Sequence, residues 1–323
     1  MEGRSIGMAT MKAMRIPEPN AKLELVEVEV PEPAADQVLV KVEACGVCHG
    51  DTMAIGGMAS AYPRIPGHEV VGTVERAGEE SPVKAGQRVG IGWHGGHGTV
   101  TGLTQDGGYA QYMTAFADSV ITIPDELTST EAAPLLCAGQ TVFSALKNSS
   151  ARAGDLVAIA GIGGLGHLAV QYAHKCGFEV AAISHSPEKE ALARELGADH
   201  YIATAEGDAA EQLKALGGAR VILVTADKPE VIKPLVGGLA AGGEVILAAT
   251  SMEPIGWSTM DFIGGVASVK GTFTDAAELA PTLKFSSLFD VKPMVEEFPL
   301  EEANEALEKM LAAKTKFRGV LVM

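Results

Sequence analysis

The sequence predicts an α/β protein of two domains, one β-rich and assembled from both ends of the chain, the other a doubly wound parallel sheet inserted between those ends. Three observations carry this. A chain of 323 residues exceeds one domain at about 100–200 residues each. From Lys12 to about Thr130, apolar and polar residues alternate at period two, with Pro and Gly turns between short runs. From Leu156 onward, short apolar runs alternate with helical ones, the rhythm of strands covered on both faces by helices.

In the β-rich part the runs are LELVEVEV, QVLVKVEA, EVVGTVERA, QRVGIG, YAQYMTA and VITI, as in a small barrel or sandwich. The second part opens on the apolar strand LVAIA. GIGGLGHLAVQYAHKCG follows as a glycine turn entering a helix, with Leu168, Val170 and Ala173 apolar. FEVAAIS, HYIAT, VILVTA, EVILAA and ASVKGTF read as further strands, separated by helical segments such as PEKEALARELGA and EQLKALGG. After Phe273 a helix, the strand VEEFPL, the helix LEEANEALEKMLAA and the strand RGVLVM form a tail too short for its own core. The tail should therefore rejoin the first domain, which gives predicted boundaries of 1–141 with 276–323, and 142–275 for the inserted sheet. Residues 1–10 lack periodicity and read as an appended or frayed arm.

Composition excludes several classes. Apolar residues make up 47% and charged residues 20%, a balance that buries a core and sets the chain apart from disordered proteins. With 25 Lys and Arg against 41 Asp and Glu, the formal charge is −16, which disfavours nucleic acid and anionic membranes. No apolar run is long enough to span a bilayer, so a cytoplasmic protein is expected. Four cysteines in such a chain point to metal ligation or burial rather than disulfides.

Gly161, Gly163 and Gly166 form G-x-G-x-x-G between a strand and a helix, with Gly164 and Leu165 completing the turn. In that context the first glycine permits the tight turn, the second lets backbone approach a pyrophosphate, and the third allows close helix packing. An NAD site usually places a carboxylate at the tip of the next strand. Here the tip reads Ile183-Ser184-His185-Ser186, with Lys189 just beyond. Hydroxyls, an imidazole and an ammonium suit a 2′-phosphate, so NADP(H) is favoured over NAD(H). Ser184 and Ser186 also have a plainer use, capping a helix that starts at Pro187.

Cys45, Cys48, His68 and Cys137 supply the thiolate and imidazole donors that suit zinc. From spacing alone two arrangements stay open: a closed structural site using all four, or an open catalytic site using three.

The motifs G-V-C-H-x-D, G-H-E-x-x-G, D-G-G-Y-A-x-Y, L-L-C-A-G-x-T and G-I-G-G-L-G-H-L occur in this order. Together they resemble the zinc-dependent, medium-chain alcohol dehydrogenases over nearly the whole chain, closest to the bacterial and cinnamyl-alcohol dehydrogenase-like members. The resemblance implies a GroES-like catalytic domain around an inserted Rossmann domain. It implies zinc ligands at Cys48, His68 and Cys137, with Cys45 a non-ligand and Glu69 an alternative ligand beside the metal. Asp51 matches the acid that orients a ligand imidazole. His49 and Arg318 match positions that reach the cofactor pyrophosphate. The implied activity is hydride transfer between an alcohol or aldehyde and the nicotinamide cofactor, in a homo-oligomer for which ASVKGTF offers an edge strand. A zinc-free reductase of the same superfamily and a non-catalytic cofactor-binding protein are the alternatives.

Two departures from the family pattern matter. Where many members carry a proton-relay Ser or Thr, and some a His, this chain has Gly50 and Met53, so a Gly50→Thr variant is expected to raise the rate. The family's structural-zinc lobe is replaced by GIGWHGGHGTVTGLTQDGGY, so one catalytic zinc and no structural zinc is expected. Within that loop His94 and His97 should line the site's mouth or face solvent, and Trp93 should wall the substrate pocket or pack a strand end.

Overall fold

The computed structural model describes residues 9–272 and 274–323; the arm expected at residues 1–10 lies almost wholly outside them. In the β-rich unit, β1 (Thr10–Arg15) pairs antiparallel with β2 (Glu24–Glu29). The main sheet is built on β3 (Gln37–Gly46), which pairs with β4 (Val70–Ala77) along nearly its whole length. From β4 the order continues to β5 (Arg88–Ile91), while β6 (Tyr112–Phe116) takes the other edge of β3 at Gln37–Lys41 and β7 (Val120–Thr122) closes against β5. Val38, Val40 and Val42 are buried on one face of β3, while on the other Leu39 is buried and Lys41 exposed, so the alternation of a strand with one face in a core is only partial. That core also takes in Met14, Ile16, Cys45, Val70, Val89 and Met113.

Among the described residues, the second unit holds six strands, all paired in parallel: β8 (Leu156–Ala160), β9 (Glu179–Ser184), β10 (His200–Ala203), β11 (Ala219–Val224), β12 (Leu239–Leu247) and β13 (Ser268–Gly271). Their order is β10-β9-β8-β11-β12-β13. Successive strands thus run outward on one side of β8 and then on the other, the doubly wound arrangement with its switch point at the carboxyl end of β8. Every residue of β8 is buried, because helices cover both faces. The helix Gly166–Lys175 turns Leu168, Ala169, Val170, Tyr172 and Ala173 inward. One capping expectation fails. Ser186 precedes a 3₁₀ turn, Pro187–Lys189, without capping its amides, and the α-helix begins only at Glu190.

The tail rejoins the first sheet. β14 (Val295–Pro299) pairs parallel with β15 (Arg318–Val322), and β15 lies antiparallel on β3 with Val320 opposite Gly46 and Leu321 opposite Cys45. By internal contact, one compact unit comprises Ala138–Thr274 and Phe289–Val291; the other ends at Cys137 and takes up Asp275–Leu288 and Lys292–Met323. Among the described residues, no helix is long and apolar enough to cross a membrane.

Candidate metal centre and cofactor loop

Several short segments of the β-rich unit converge at the end of β3. The chain leaves Gly46 and coils into the turn Asp51–Met53, where the Asp51 amide donates to the Cys48 carbonyl at 3.0 Å. Asp51 folds back over this turn. Its Oδ2 accepts from the Cys48 amide at 3.0 Å and from the Tyr109 hydroxyl at 2.9 Å, and its Oδ1 lies 2.9 Å from His68 Nδ1. Asp51 is 3% exposed and His68 1%. A carboxylate that engages Nδ1 fixes the ring and leaves Nε2 as the free ligating nitrogen.

Cys137 arrives from another direction. Thr128 and Glu131 form a reciprocal capping box that starts the helix Ser129–Pro134. Pro134 has no amide hydrogen to donate, and the next turn, Leu135–Gly139, widens into a π-helical turn. That turn carries Cys137, whose Sγ lies 3.8 Å from Cys48 Sγ. Both thiols are free. Glu69, just before β4, meets Arg318 at the start of β15, with Nη2 and Oε1 2.5 Å apart.

One donor atom from each of Cys48, His68, Glu69 and Cys137 lies within 4.8 Å of the other three, and no other such group of His, Cys, Asp or Glu occurs among the described residues. His68 Nε2 and Glu69 Oε2 are buried without a hydrogen-bond partner. Leaving such atoms unsatisfied costs about 1–3 kcal/mol each. Two sulfurs, an imidazole nitrogen and a carboxylate oxygen form a donor set that fits zinc. Cys45 is excluded from it: its thiol is in the core, weakly bonded to the Gly46 carbonyl at 3.7 Å.

The charges are mutually dependent. A hydrogen bond from Cys137, together with the His68 imidazolium, pulls the Cys48 thiol well below its ordinary range against the effect of burial. Cys137, donating to Cys48 and buried, is pushed up. Burial lowers the His68 pKa, but the charges on Asp51 and Cys48 outweigh it and hold the pKa well above the usual value. Burial raises Glu69 to about 8 despite the adjacent Arg318.

In the second unit the glycine turn sits at the switch point. Gly161 has φ +100°, and a Cβ on Gly166 would come within 1.8 Å of the Gly161 carbonyl oxygen, so the helix can approach the strand this closely only without side chains there. A Cβ on Gly163 would meet nothing within 4 Å; the turn faces open space at that residue. Gly164 and Leu165 complete the bend into the helix. Lys189 reaches back from beyond β9 to donate to the Ile162 carbonyl at 2.7 Å, joining the strand tip to the glycine turn. The backbone carbonyls of Ser184 and His185 accept from Thr204 and Ala205. Ser186 brings a feature unforeseen from sequence: its hydroxyl lies 3.5 Å from the Glu188 carboxylate.

Two family models match the chain, an alcohol dehydrogenase GroES-like domain over residues 34–125 and a zinc-binding dehydrogenase over residues 164–287. The alcohol dehydrogenase patD of Penicillium expansum is 40% identical, covering 98% of both chains. Among solved structures, a cinnamyl alcohol dehydrogenase from Sorghum bicolor superposes with a TM-score of 0.85 at 28% identity, covering 97% of this chain and 98% of that one. The CAD protein from Helicobacter pylori, complexed with NADP(H), gives 0.84 at 25% identity, covering 98% of each. The chain belongs to the zinc-type medium-chain alcohol dehydrogenase family.

Within this dehydrogenase the loop residues have distinct placements. Trp93 packs edge-on against the His68 ring, with centroids 4.9 Å apart, so it touches the site rather than merely ending a strand. His97 stacks on Phe116 at 4.3 Å and lies near Asp36 and Asp118, and it takes no part in the donor cluster. His49 is exposed at the start of the turn. Gly50 is where the relay expectation meets an obstacle. A Cβ there would lie 2.9 Å from His68 Cε1 and 3.2 Å from Trp93 Cζ3, so a threonine would press on the imidazole. Sequence reasoning missed Tyr109 as a site residue, although the D-G-G-Y motif that contains it was in plain view.

Proposed function

We propose that this dehydrogenase interconverts alcohols and aldehydes with NADP(H), using one zinc ion held by Cys48, His68 and Cys137, with Glu69 as an alternative ligand. The observation that carries the reading is the convergence of four donor atoms around a buried, otherwise unpartnered His68 Nε2. Bound zinc supplies a Lewis acid that polarises the substrate oxygen, and bound nicotinamide supplies the hydride acceptor or donor. Asp51 holds the imidazole in its ligating orientation. Arg318 balances Glu69 and, with His49, is the group proposed to meet the cofactor pyrophosphate. Gly161, Gly163, Gly164, Leu165 and Gly166 are proposed to cradle a cofactor pyrophosphate. Ser184, His185, Ser186 and Lys189 are proposed to read the 2′-phosphate, a role supported by the link from Lys189 to the glycine turn. During alcohol oxidation the hydroxyl proton must leave for solvent, and Gly50 offers no side chain to carry it.

The reading includes a homo-oligomer joined along β13. That strand ends its sheet, and Met260, Ile263, Val266 and Val269 beside or on it are exposed. Light scattering after gel filtration should give a multiple of 33.4 kDa.

The deciding experiment measures initial rates with NADPH and NADH against aromatic and aliphatic aldehydes, before and after chelation, alongside metal analysis. The expected outcome is about one zinc per chain, faster turnover with NADPH, and activity lost on chelation and restored by zinc. Turnover by metal-free protein would sink the zinc assignment.

A further inference from the structure

We infer that Tyr109 is a positioning residue for the metal centre: its hydroxyl holds Asp51 so that Asp51 holds His68. The inference rests on the proposal that zinc binds at Cys48, His68 and Cys137.

The geometry is a chain of three buried groups. Tyr109 Oη donates to Asp51 Oδ2 at 2.9 Å, and Asp51 Oδ1 engages His68 Nδ1 at 2.9 Å. Tyr109 and His68 are 0% and 1% exposed, so water does not substitute for the hydroxyl. The Cys48 amide is the other donor to Oδ2. Without the phenol, the carboxylate would be fixed on that side by a single backbone group and could swing about it, taking the imidazole along.

The phenol is itself held by backbone. The amides of Gly107, Gly108 and Tyr109 donate to the carbonyls of Ile65, Gly67 and Pro66 at 2.8, 3.0 and 3.0 Å. Asp106 Oδ1 accepts from the Ile65 amide at 3.0 Å and from Arg64 Nη1 at 2.8 Å. The approach is close enough that a Cβ on Gly107 would come within 2.1 Å of the Gly67 carbonyl oxygen. The D-G-G-Y segment is thus laced to the stretch of backbone that presents His68. This gives the motif a physical role: glycines for the lacing, tyrosine for the carboxylate.

Groups that orient a metal-bound histidine typically change metal affinity by about 10–100-fold when removed. A tyrosine that only fills the core would leave the metal indifferent when replaced by the equally apolar and similarly shaped phenylalanine. The test is Tyr109→Phe, followed by the rate of zinc release to a chromophoric chelator and by the visible spectrum of the cobalt-substituted protein. Zinc release at least about tenfold faster, with shifted cobalt bands, is the expected result. In an Asp51→Ala background, Tyr109→Phe should add nothing further, since both act through one carboxylate. Equal release rates and superimposable cobalt spectra for parent and Tyr109→Phe would overturn the inference, as would fully additive effects in the double variant. If Asp51→Ala does not fold, the release rate and spectrum of Tyr109→Phe decide alone. Failure of the parent protein to take up zinc would instead refute the metal assignment on which the inference stands.

Discussion

Arg318 and Glu69 lie 249 positions apart in sequence, yet their side chains meet at 2.5 Å in a site where they are 4% and 0% exposed. The pairing of β15 with β3 makes this possible, because it sets Val320 opposite Gly46 and bonds the Val47 amide to the Gly319 carbonyl at 2.8 Å. The guanidinium is thereby placed among a carboxylate and two thiols. Desolvating such a pair is costly, and its attraction repays that cost only while both members remain.

The first prediction follows from that asymmetry. Arg318→Met should lower stability by about 1–3 kcal/mol by leaving the buried Glu69 carboxyl, its pKa already raised to about 8, without its partner. Adding Glu69→Gln should recover much of the loss. Urea denaturation midpoints of the single and double variants measure this, and a double variant no more stable than the single one would show that the unpartnered Glu69 carboxyl is not the cause.

A second prediction reverses the expectation drawn from sequence for the proton relay. Because a Cβ at Gly50 would press on His68 at 2.9 Å and Trp93 at 3.2 Å, Gly50→Thr should reduce kcat/KM and zinc occupancy rather than raise the rate. Overpacking of this kind costs about 1–3 kcal/mol, equivalent to roughly 5- to 150-fold in metal retention or rate. Gly50→Ala should show a smaller loss of the same sign. A threonine variant faster than the parent across the pH–rate profile would restore the relay argument.

Cofactor choice gives a third. Lys189 is the cation joined to the glycine turn, and Glu188 puts a carboxylate beside Ser186. Lys189→Ala should cut the NADPH-to-NADH ratio of kcat/KM about tenfold, the scale of one lost charge-assisted bond. Glu188→Gln should raise the same ratio by removing a negative charge that repels the 2′-phosphate. Unchanged ratios in both variants would move 2′-phosphate recognition elsewhere.

The fourth concerns stability and pH in the second unit. Glu244 on β12 accepts from the Ser150 amide at 2.5 Å and pairs with Lys270 of β13 at 2.9 Å. Burial pushes its pKa up, but Lys270 and the Ser150 amide outweigh that and hold it below the ordinary carboxylate range. A depressed folded-state pKa means that the unfolded chain takes up a proton first as pH falls. The contribution is therefore fully present above the unfolded pKa, near 4.3, and disappears as pH drops through the folded value. Glu244→Gln should cost on the order of 1 kcal/mol at pH 7, with the gap from the parent closing in acid. A gap that persists unchanged at the lowest pH where the parent still folds would contradict this.

Much of the molecule was legible before any coordinates, and the reasons are local. Alternation through Val38, Val40 and Val42 announces a half-buried strand, the unbroken apolar run of β8 announces a strand covered on both faces, and Gly161, Gly163 and Gly166 mark a turn whose chemistry lies within a few residues. Cys48, His68 and Cys137 stood out as donor types, although spacing alone left open whether Cys45 joined them. What the chain order could not contain was which distant side chains touch. Sheet register brings Arg318 to Glu69, a widened helical turn brings Cys137 to Cys48, and laced glycine backbones bring Tyr109 to Asp51. Trp93 closing on Gly50 belongs with these, and it argues against the rate gain expected of Gly50→Thr. Periodicity and turn chemistry act over a few residues, whereas contacts at 2.5–3.8 Å between segments far apart in the chain depend on how whole strands are registered and packed.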